Sequence, residues 1–335
     1  MKTDKILLGH GSGGKLMHTL LNDLVRTHFS NPILNRCDDS AILNLSGKIA
    51  FTTDSFVVNP LFFPGADIGK LAVCGTINDL AVMGAKPLYL TCAFIIEEGL
   101  DISILERIIK SMKKAAHECK VTIVGGDLKV VEINAADKIF INTSGVGIIK
   151  KHINISANNA SPGDNIIING FIGDHGAAVM SSREDYKLKS SIKSDCAGLG
   201  ALIREILAVS DKIHVLRDPT RGGVATTLKE IALQSKVGIE IHEDRLPIRK
   251  EVKSFCDILG IDPLYLACEG KVLIFAGEND TGKILTKMRK NIYGKHAQVI
   301  GQVVKEHPSN VVMRTKIGSS RIIDMLSGEQ LPRIC

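Results

Sequence analysis

The chain of 335 residues contains no tryptophan, and only 4% of it is aromatic. Sequence-tolerant binding of single-stranded nucleic acid depends on rings that stack on bases, so this composition argues against that class. The eight cysteines, at positions 37, 74, 92, 119, 196, 256, 268 and 335, form no C-x-x-C pair, which argues against zinc ribbons and thioredoxin-type sites. Met1-Lys2-Thr3-Asp4 lacks the apolar core of a secretory signal. The longest apolar stretch, 81–96, is broken by Lys86-Pro87 and does not read as a membrane span. Nor is charge of one sign concentrated: 42 Lys+Arg against 36 Asp+Glu leave a net +6, and the densest pairs, Lys113-Lys114 and Lys150-Lys151, read as solvated faces. These absences predict a cytoplasmic chain with reduced thiols that binds neither membrane nor nucleic acid.

What is present is globular: 44% hydrophobic and 23% charged residues, in a length that suggests two domains. The 31 glycines cluster in turns and follow no repeat. Strand-like and helical patterns alternate, which predicts α/β or α+β layers. In the first half the pattern predicts a helix over 16–25, strands over 41–45 and 49–53 with Asp54 ending the second, and a helix over 68–84. Ile104, Leu105, Ile108, Ile109, Met112 and Ala116 mark a clearer amphipathic helix. A short buried strand over 121–124 then runs into Gly125-Gly126-Asp127, and another strand covers 138–149. Asn, Ser, Pro and Gly in 158–164 mark a connector. Beyond it the pattern predicts strands over 166–168, 238–242, 272–276 and 298–304, and helices over 199–209 and 224–233.

Gly9-His10-Gly11-Ser12-Gly13-Gly14-Lys15 matches both G-x-x-x-x-G-K and G-x-G-x-x-G. A P-loop needs Ser or Thr after the lysine, and here Leu16 follows. A dinucleotide fingerprint needs an acid about 20 residues on, and Asp23 comes too early. Two readings remain: a plain Gly-rich arm, or a loop whose N–H groups approach a phosphate. A more informative signal is a set of acids near element ends: Asp38-Asp39, Asp54, Asp79 beside Asn78, Asp127 and Asp218. Hard divalent cations take carboxylate and phosphate oxygens, so such acids beside glycine turns suit magnesium, although Asp is also an ordinary cap and turn residue. Lys129 and Glu269 are candidate general acid or base groups, each with a surface salt bridge as the plainer reading. Cys335, last on a tail containing Pro332, is either an incidental thiol or the end of an arm that carries a group on sulfur; five extended residues reach roughly 17 Å.

Together the motifs resemble the HypE family of hydrogenase maturation factors, in the aminoimidazole-ribonucleotide-synthetase (PurM) superfamily. The resemblance runs from Gly9 to Cys335. It rests on the segments 9–17, 53–58 (Thr-Asp-Ser-Phe-Val-Val), 62–65 and 67–81, on Gly173-Asp174-His175-Gly176, and on Asp218-Pro219-Thr220-Arg221-Gly222-Gly223. Ala267-Cys268-Glu269-Gly270-Lys271 and the terminal Pro332-Arg333-Ile334-Cys335 complete it. The chain departs from the pattern with Leu128 where Thr is expected and Cys37 where Gly is expected.

The resemblance implies an α/β fold of two PurM-like domains: 1–155, binding ATP and dimerising through its sheet; 156–330; and a mobile tail, 331–335. It implies ATP and Mg2+ as cofactors. Gly11, Gly13, Asp39, Asp54, Asn78, Asp79, Asp127 and Asp218 would hold the nucleotide, with Asp39, Asp54, Asp79 and Asp218 on the metal. Cys335 would receive a carbamoyl group from the carbamoyltransferase HypF. The enzyme would dehydrate that S-carboxamide to a thiocyanate, with Glu269 and Lys129 sharing proton transfer and charge stabilisation. The cyano group would pass to iron on a HypC–HypD complex, for nickel–iron hydrogenase. Two rivals have clear signatures: a PurM-type enzyme acting on a small free substrate would not need Cys335, and a non-catalytic scaffold would survive loss of nucleotide binding.

Overall fold

Two β-sheets organise the chain, and one helix is shared between them. The computed structural model describes residues 4–37, 40–183 and 191–326. Asp39 and the tail with Cys335 therefore lie outside the described residues.

The first half contains β1 (Lys48–Phe56), the short pair β2 (Phe62–Phe63) and β3 (Ala66–Asp67), then β4 (Ala85–Glu97), β5 (Thr122–Val131) and β6 (Ile139–Ile149). Four of these form a sheet in the order β1-β6-β4-β5, antiparallel except for the parallel β4–β5 pair. Its helices are α1 (Lys15–Leu20), which runs through a π-helical stretch, Leu21–Arg26, into α2 (Thr27–Phe29), then α3 (Ile68–Val82) and α4 (Ile102–Cys119). One sheet face alternates into the core with Ile139, Ile141 and Thr143, and α3 packs on it. The other face carries no helix among the described residues. There Ile49, Phe51 and Thr53 of β1 pair with Ile148, Val146 and Ser144 of β6, and Phe51 is 73% exposed.

The second half contains β7 (Asp164–Ile168), β8 (Ile213–Arg217), β9 (Gly238–His242), β10 (Leu273–Gly277), β11 (Gln298–Val304), β12 (Val311–Arg314) and β13 (Ser320–Ile323). They form one sheet ordered β13-β12-β9-β11-β7-β10-β8, with β9–β12 its parallel pair. Helices α5 (Asp174–Ser181), α6 (Gly200–Leu207), α7 (Gly223–Ser235), α8 (Lys250–Leu259) and α9 (Glu278–Arg289) accompany it. The core around Val224, Leu228 and Ile231 of α7 includes Ile166, Ile168 and Phe275. The core around α6 and α9 includes Ile167 and Ile274, which point the opposite way along the same strands.

Helix α3 is buried almost throughout, so it lacks the polar stripe of a surface helix. Its start is fixed by Asp67, whose Oδ1 accepts from the N–H groups of Gly69 (2.8 Å) and Lys70 (3.0 Å). Its early residues pack with α4, while Leu80, Ala81 and Val82 join Leu202, Ile203 and Ile274 of the second half. The two halves thus share core, and α3 carries side chains to the seam between them.

Three local expectations are corrected. Residues 41–45 alternate half-buried and exposed, as a strand would, but they pair with no strand among the described residues. Asp54 lies inside β1, opposite Thr143, and does not end it. Asp127 lies within β5, opposite Ala93: glycine in a strand read as its end, but Gly125 and Gly126 continue the ladder against Thr91 and Cys92.

Candidate active site

Four acids from four different elements surround one cavity of about 410 Å³ at the seam. Asp54 comes from β1, Asp79 from α3, Asp218 from the turn between β8 and α7, and Glu269 from the segment before β10. The Asp218 turn is built by local bonds: the Thr220 N–H donates to the Asp218 carbonyl (3.1 Å) and the Gly223 N–H to the Thr220 carbonyl (2.9 Å). Gly222 and Gly223 have φ of 74° and 60°, and a Cβ at Gly223 would stand 2.4 Å from the Leu264 carbonyl oxygen. Only glycine meets both demands. The Cys268 N–H donates to the Pro219 carbonyl (3.0 Å), which ties this turn to the Glu269 segment.

Electrostatically the cluster is overloaded with negative charge. Burial pushes the Asp79 carboxyl up to about 7, and the Asp218 and Asp54 charges add to the rise. Burial pushes Asp218 up to about 6, with Asp54 contributing, and raises Asp54 above the ordinary carboxylate range. Glu269 is pushed well up by burial and then by the charges of Asp218, Asp195, Asp54 and Asp79. Carboxylates that oppose one another's ionisation bind cations well, because the cation removes the repulsion. Among the described residues no three His, Cys, Asp or Glu side chains form a ligand set by themselves. The arrangement therefore suits magnesium, which keeps water and phosphate oxygens and needs only one or two carboxylates.

A second cavity, of about 740 Å³, shares Asp79, Asp218, Thr220 and Arg221 with the first. Met325 and Leu326 line it, so the last described residues lie at its wall.

The remaining predicted residues fall elsewhere. Asn78 is buried, and its amide is fully engaged by backbone: Nδ2 donates to the carbonyls of Ala197 (3.0 Å) and Glu269 (3.1 Å), and Oδ1 accepts the Leu199 N–H (2.8 Å). It fixes the site from behind and has no donor left for a nucleotide. Asp127 and Lys129 form an exposed ion pair (2.8 Å) on β5, at the sheet edge opposite β1. Three strand spacings, roughly 14 Å, separate these edges. Gly11 packs against Val130 of the same strand, and Gly13 has an open surround with φ 77°. The structure thus gathers Gly11, Gly13, Asp127 and Lys129 at one edge and the Asp54–Asp79–Asp218–Glu269 cluster at the other. Cys37, where the resemblance leads one to expect Gly, has φ 59°, a conformation glycine adopts without strain. Leu128 is buried, so the departure from Thr fills core.

Sequence reasoning missed Asp195. It lies in a loop, and a lone acid in Ser194-Asp195-Cys196 carries no spacing signal; only the fold brings it beside Glu269.

Comparison with known proteins gives the family. The AIR synthase related protein family matches in two parts, the N-terminal domain at residues 37–149 and the C-terminal domain at 161–314. A Rhodobacter capsulatus protein described as carbamoyl dehydratase HypE is 47% identical over 338 residues, covering 100% of this chain and 99% of its own length. Its Escherichia coli K12 counterpart is 42% identical over 338 residues, covering 99% and 100%. A crystal structure of HypE in complex with ATP matches with a TM-score of 0.95 at 48% identity, over 98% of this chain and 100% of that one. A HypE–HypF complex matches with a TM-score of 0.81 at 50% identity, over 92% and 99%. Identity at this level along the whole chain places the protein in the HypE family of carbamoyl dehydratases, enzymes of hydrogenase maturation within the AIR-synthase-related proteins.

Proposed function

We propose that this chain uses ATP to remove water from an S-carboxamide on Cys335, leaving an S-cyanate. The observation that carries this reading is that the last described residues line a cavity continuous in its lining with the acid cluster. Leu326 lines the cavity that shares Asp79, Asp218 and Arg221 with the Glu269 cavity, and Cys335 is the ninth residue after it. Nine residues reach at most about 30 Å, enough to bring the sulfur to Glu269.

The carbonyl oxygen of an amide is a poor leaving group. Transfer of the γ-phosphoryl group to that oxygen makes it leave as phosphate, and two protons leave nitrogen as the nitrile forms. The products are thiocyanate, ADP and phosphate. Little covalent help is needed; alignment and charge control dominate. One or two of Asp54, Asp79 and Asp218 would hold magnesium, which would supply charge neutralisation for the phosphates; Asp39, outside the described residues, is added only by the resemblance. Glu269 is the proton acceptor, because it faces the same cavity as Asp54, Asp79 and Asp218. Asn78 fixes the Glu269 backbone carbonyl, and Arg221 faces the same cavity.

The β5 group enters through a second copy. The uncovered sheet face with Phe51, Val146 and Ile49 is the surface for a homodimer. A two-fold axis parallel to the strands sets the β5 edge of one copy over the β1 edge of the other. Asp127, Lys129 and the Gly-rich turn then approach the partner's acid cluster, and Lys129 stabilises charge there.

HypF, whose complex with a HypE is among the similar structures, is the carbamoyl donor; a HypC–HypD complex is the cyanide acceptor that the resemblance implies. A cytoplasmic setting follows from those partners; no helix among the described residues is long and apolar enough to cross a membrane. The test is Cys335→Ala in the full chain with HypF, a carbamoyl donor and magnesium ATP. Nucleotide binding should persist while thiocyanate formation is lost. Product formation in that variant would instead favour a small free substrate.

A further inference from the structure

We propose that Asp195 is a positioning residue for Glu269: its carboxylate grips the Glu269–Gly270–Lys271 segment at both ends and holds the Glu269 side chain in the cleft. The inference rests on the reading of Glu269 as the proton acceptor. One oxygen, Oδ1, accepts the Glu269 N–H (3.1 Å), and the other, Oδ2, accepts from the Lys271 ammonium (2.8 Å). Both side chains are buried, 4% exposed for Asp195 and 10% for Lys271. Between the two grips sits Gly270, where a Cβ would lie 1.9 Å from the Asp195 carbonyl oxygen. The two backbones are therefore in direct contact, and no side chain fits between them.

The grip is itself anchored. The Ser194 N–H donates to the Pro64 carbonyl (2.8 Å), and the Ser194 hydroxyl accepts the Cys196 N–H (3.1 Å). Asn78 holds the Ala197 carbonyl and the Leu199 N–H on the far side of Asp195, and the Glu269 carbonyl with the same amide. The Glu269 peptide is thus held through its N–H by Asp195 and through its C=O by Asn78. Asn78 adjoins Asp79 on α3, so the same frame locates the base relative to the acid cluster. A surface charge pair would do none of this. The Lys271–Asp195 pair lies inside the protein and neutralises itself, so it places a rigid hydrogen-bond acceptor beside Glu269 without an uncompensated buried charge.

Two double variants of the full chain separate grip from charge. Asp195→Asn/Lys271→Met removes both charges and keeps an oxygen for the Glu269 N–H. Asp195→Ala/Lys271→Met removes both charges and the acceptor. The first readout is single-turnover water loss from the carbamoylated protein together with KM for ATP. The second is hydrogen exchange at the Glu269 amide, which reads the grip whether or not the chemistry proceeds. The Asn/Met variant should lose water at nearly the wild-type rate with a protected amide. The Ala/Met variant should be slower by on the order of 10-fold or more, with KM for ATP unchanged and faster exchange at that amide. Equal rates in the two variants, or an Asn/Met variant that folds and binds ATP but loses no water, would overturn the proposal. So would an unchanged amide in the Ala/Met variant. If the Glu269→Gln protein dehydrates normally, the reading of Glu269 fails first, and the amide result still decides whether the grip exists.

Discussion

Asp79→Asn should stabilise the nucleotide-free protein at pH 8 and abolish its reaction. The Asp79 carboxyl is raised from 3.8 to about 7, by burial first and then by Asp218 and Asp54. Between these two values the native chain holds a proton that the unfolded chain has released. Native stability therefore falls as pH rises through that window; below it the group has no effect, and above it the full cost remains. That rise in pKa corresponds to about 4 kcal/mol, and the burial cost of the charge and its repulsion from Asp218 and Asp54 are both relieved when the Asp79 charge is removed. Asparagine keeps an acceptor for the Thr52 hydroxyl, which donates to Asp79 Oδ2 (3.2 Å). The gain in the variant should thus be small near pH 4.5 and grow to about 2–4 kcal/mol at pH 8. Urea denaturation of both proteins at the two pH values, without divalent cation or nucleotide, measures it. A variant no more stable than wild type at pH 8, or a gain no larger there than at pH 4.5, would refute the picture of mutually repelling buried acids. Stability and function oppose one another at such a site, as they do wherever like charges are gathered for a ligand.

Two further outcomes follow from the geometry. Asn78→Ala leaves the Leu199 N–H and the Ala197 and Glu269 carbonyls without their partner and should cost about 2–4 kcal/mol in chemical denaturation, with Asn78→Asp no full remedy because it restores only the acceptor. Lys129→Ala breaks only an exposed ion pair and should change stability by less than about 0.5 kcal/mol, yet slow single-turnover dehydration; unchanged turnover in a chain shown to dimerise would remove Lys129 from the chemistry.

The sequence was most legible where one physical pattern acts alone. The amphipathic run around Ile108 and Met112 gives α4, and the Asp218–Gly223 turn announces itself through its glycines. It was least legible where tertiary contact decides. The alternation in 41–45 reads as a strand, yet strands exist only beside a partner edge. Asn78 looks like a ligand because it adjoins Asp79, but one helical step of about 100° turns it toward the backbone of the second half. Asp195 is 74 residues from Glu269, so no local spacing could join them. The acids Asp54, Asp79 and Asp218 were legible as a set through their glycine-turn settings and the family resemblance; that they share one cavity with Glu269 required the fold.

The most direct test of the central claim is intact-mass analysis of the terminal peptide after incubation with HypF, a carbamoyl donor and magnesium ATP, comparing wild type with Glu269→Gln. The wild-type peptide should gain one carbamoyl group on Cys335 and then lose one water, only when ATP is present, while the variant binds ATP and stops at the carboxamide. A Cys335 adduct that never loses water in the wild-type chain, or a variant that loses it at the wild-type rate, would contradict the assignment of the dehydration to this site.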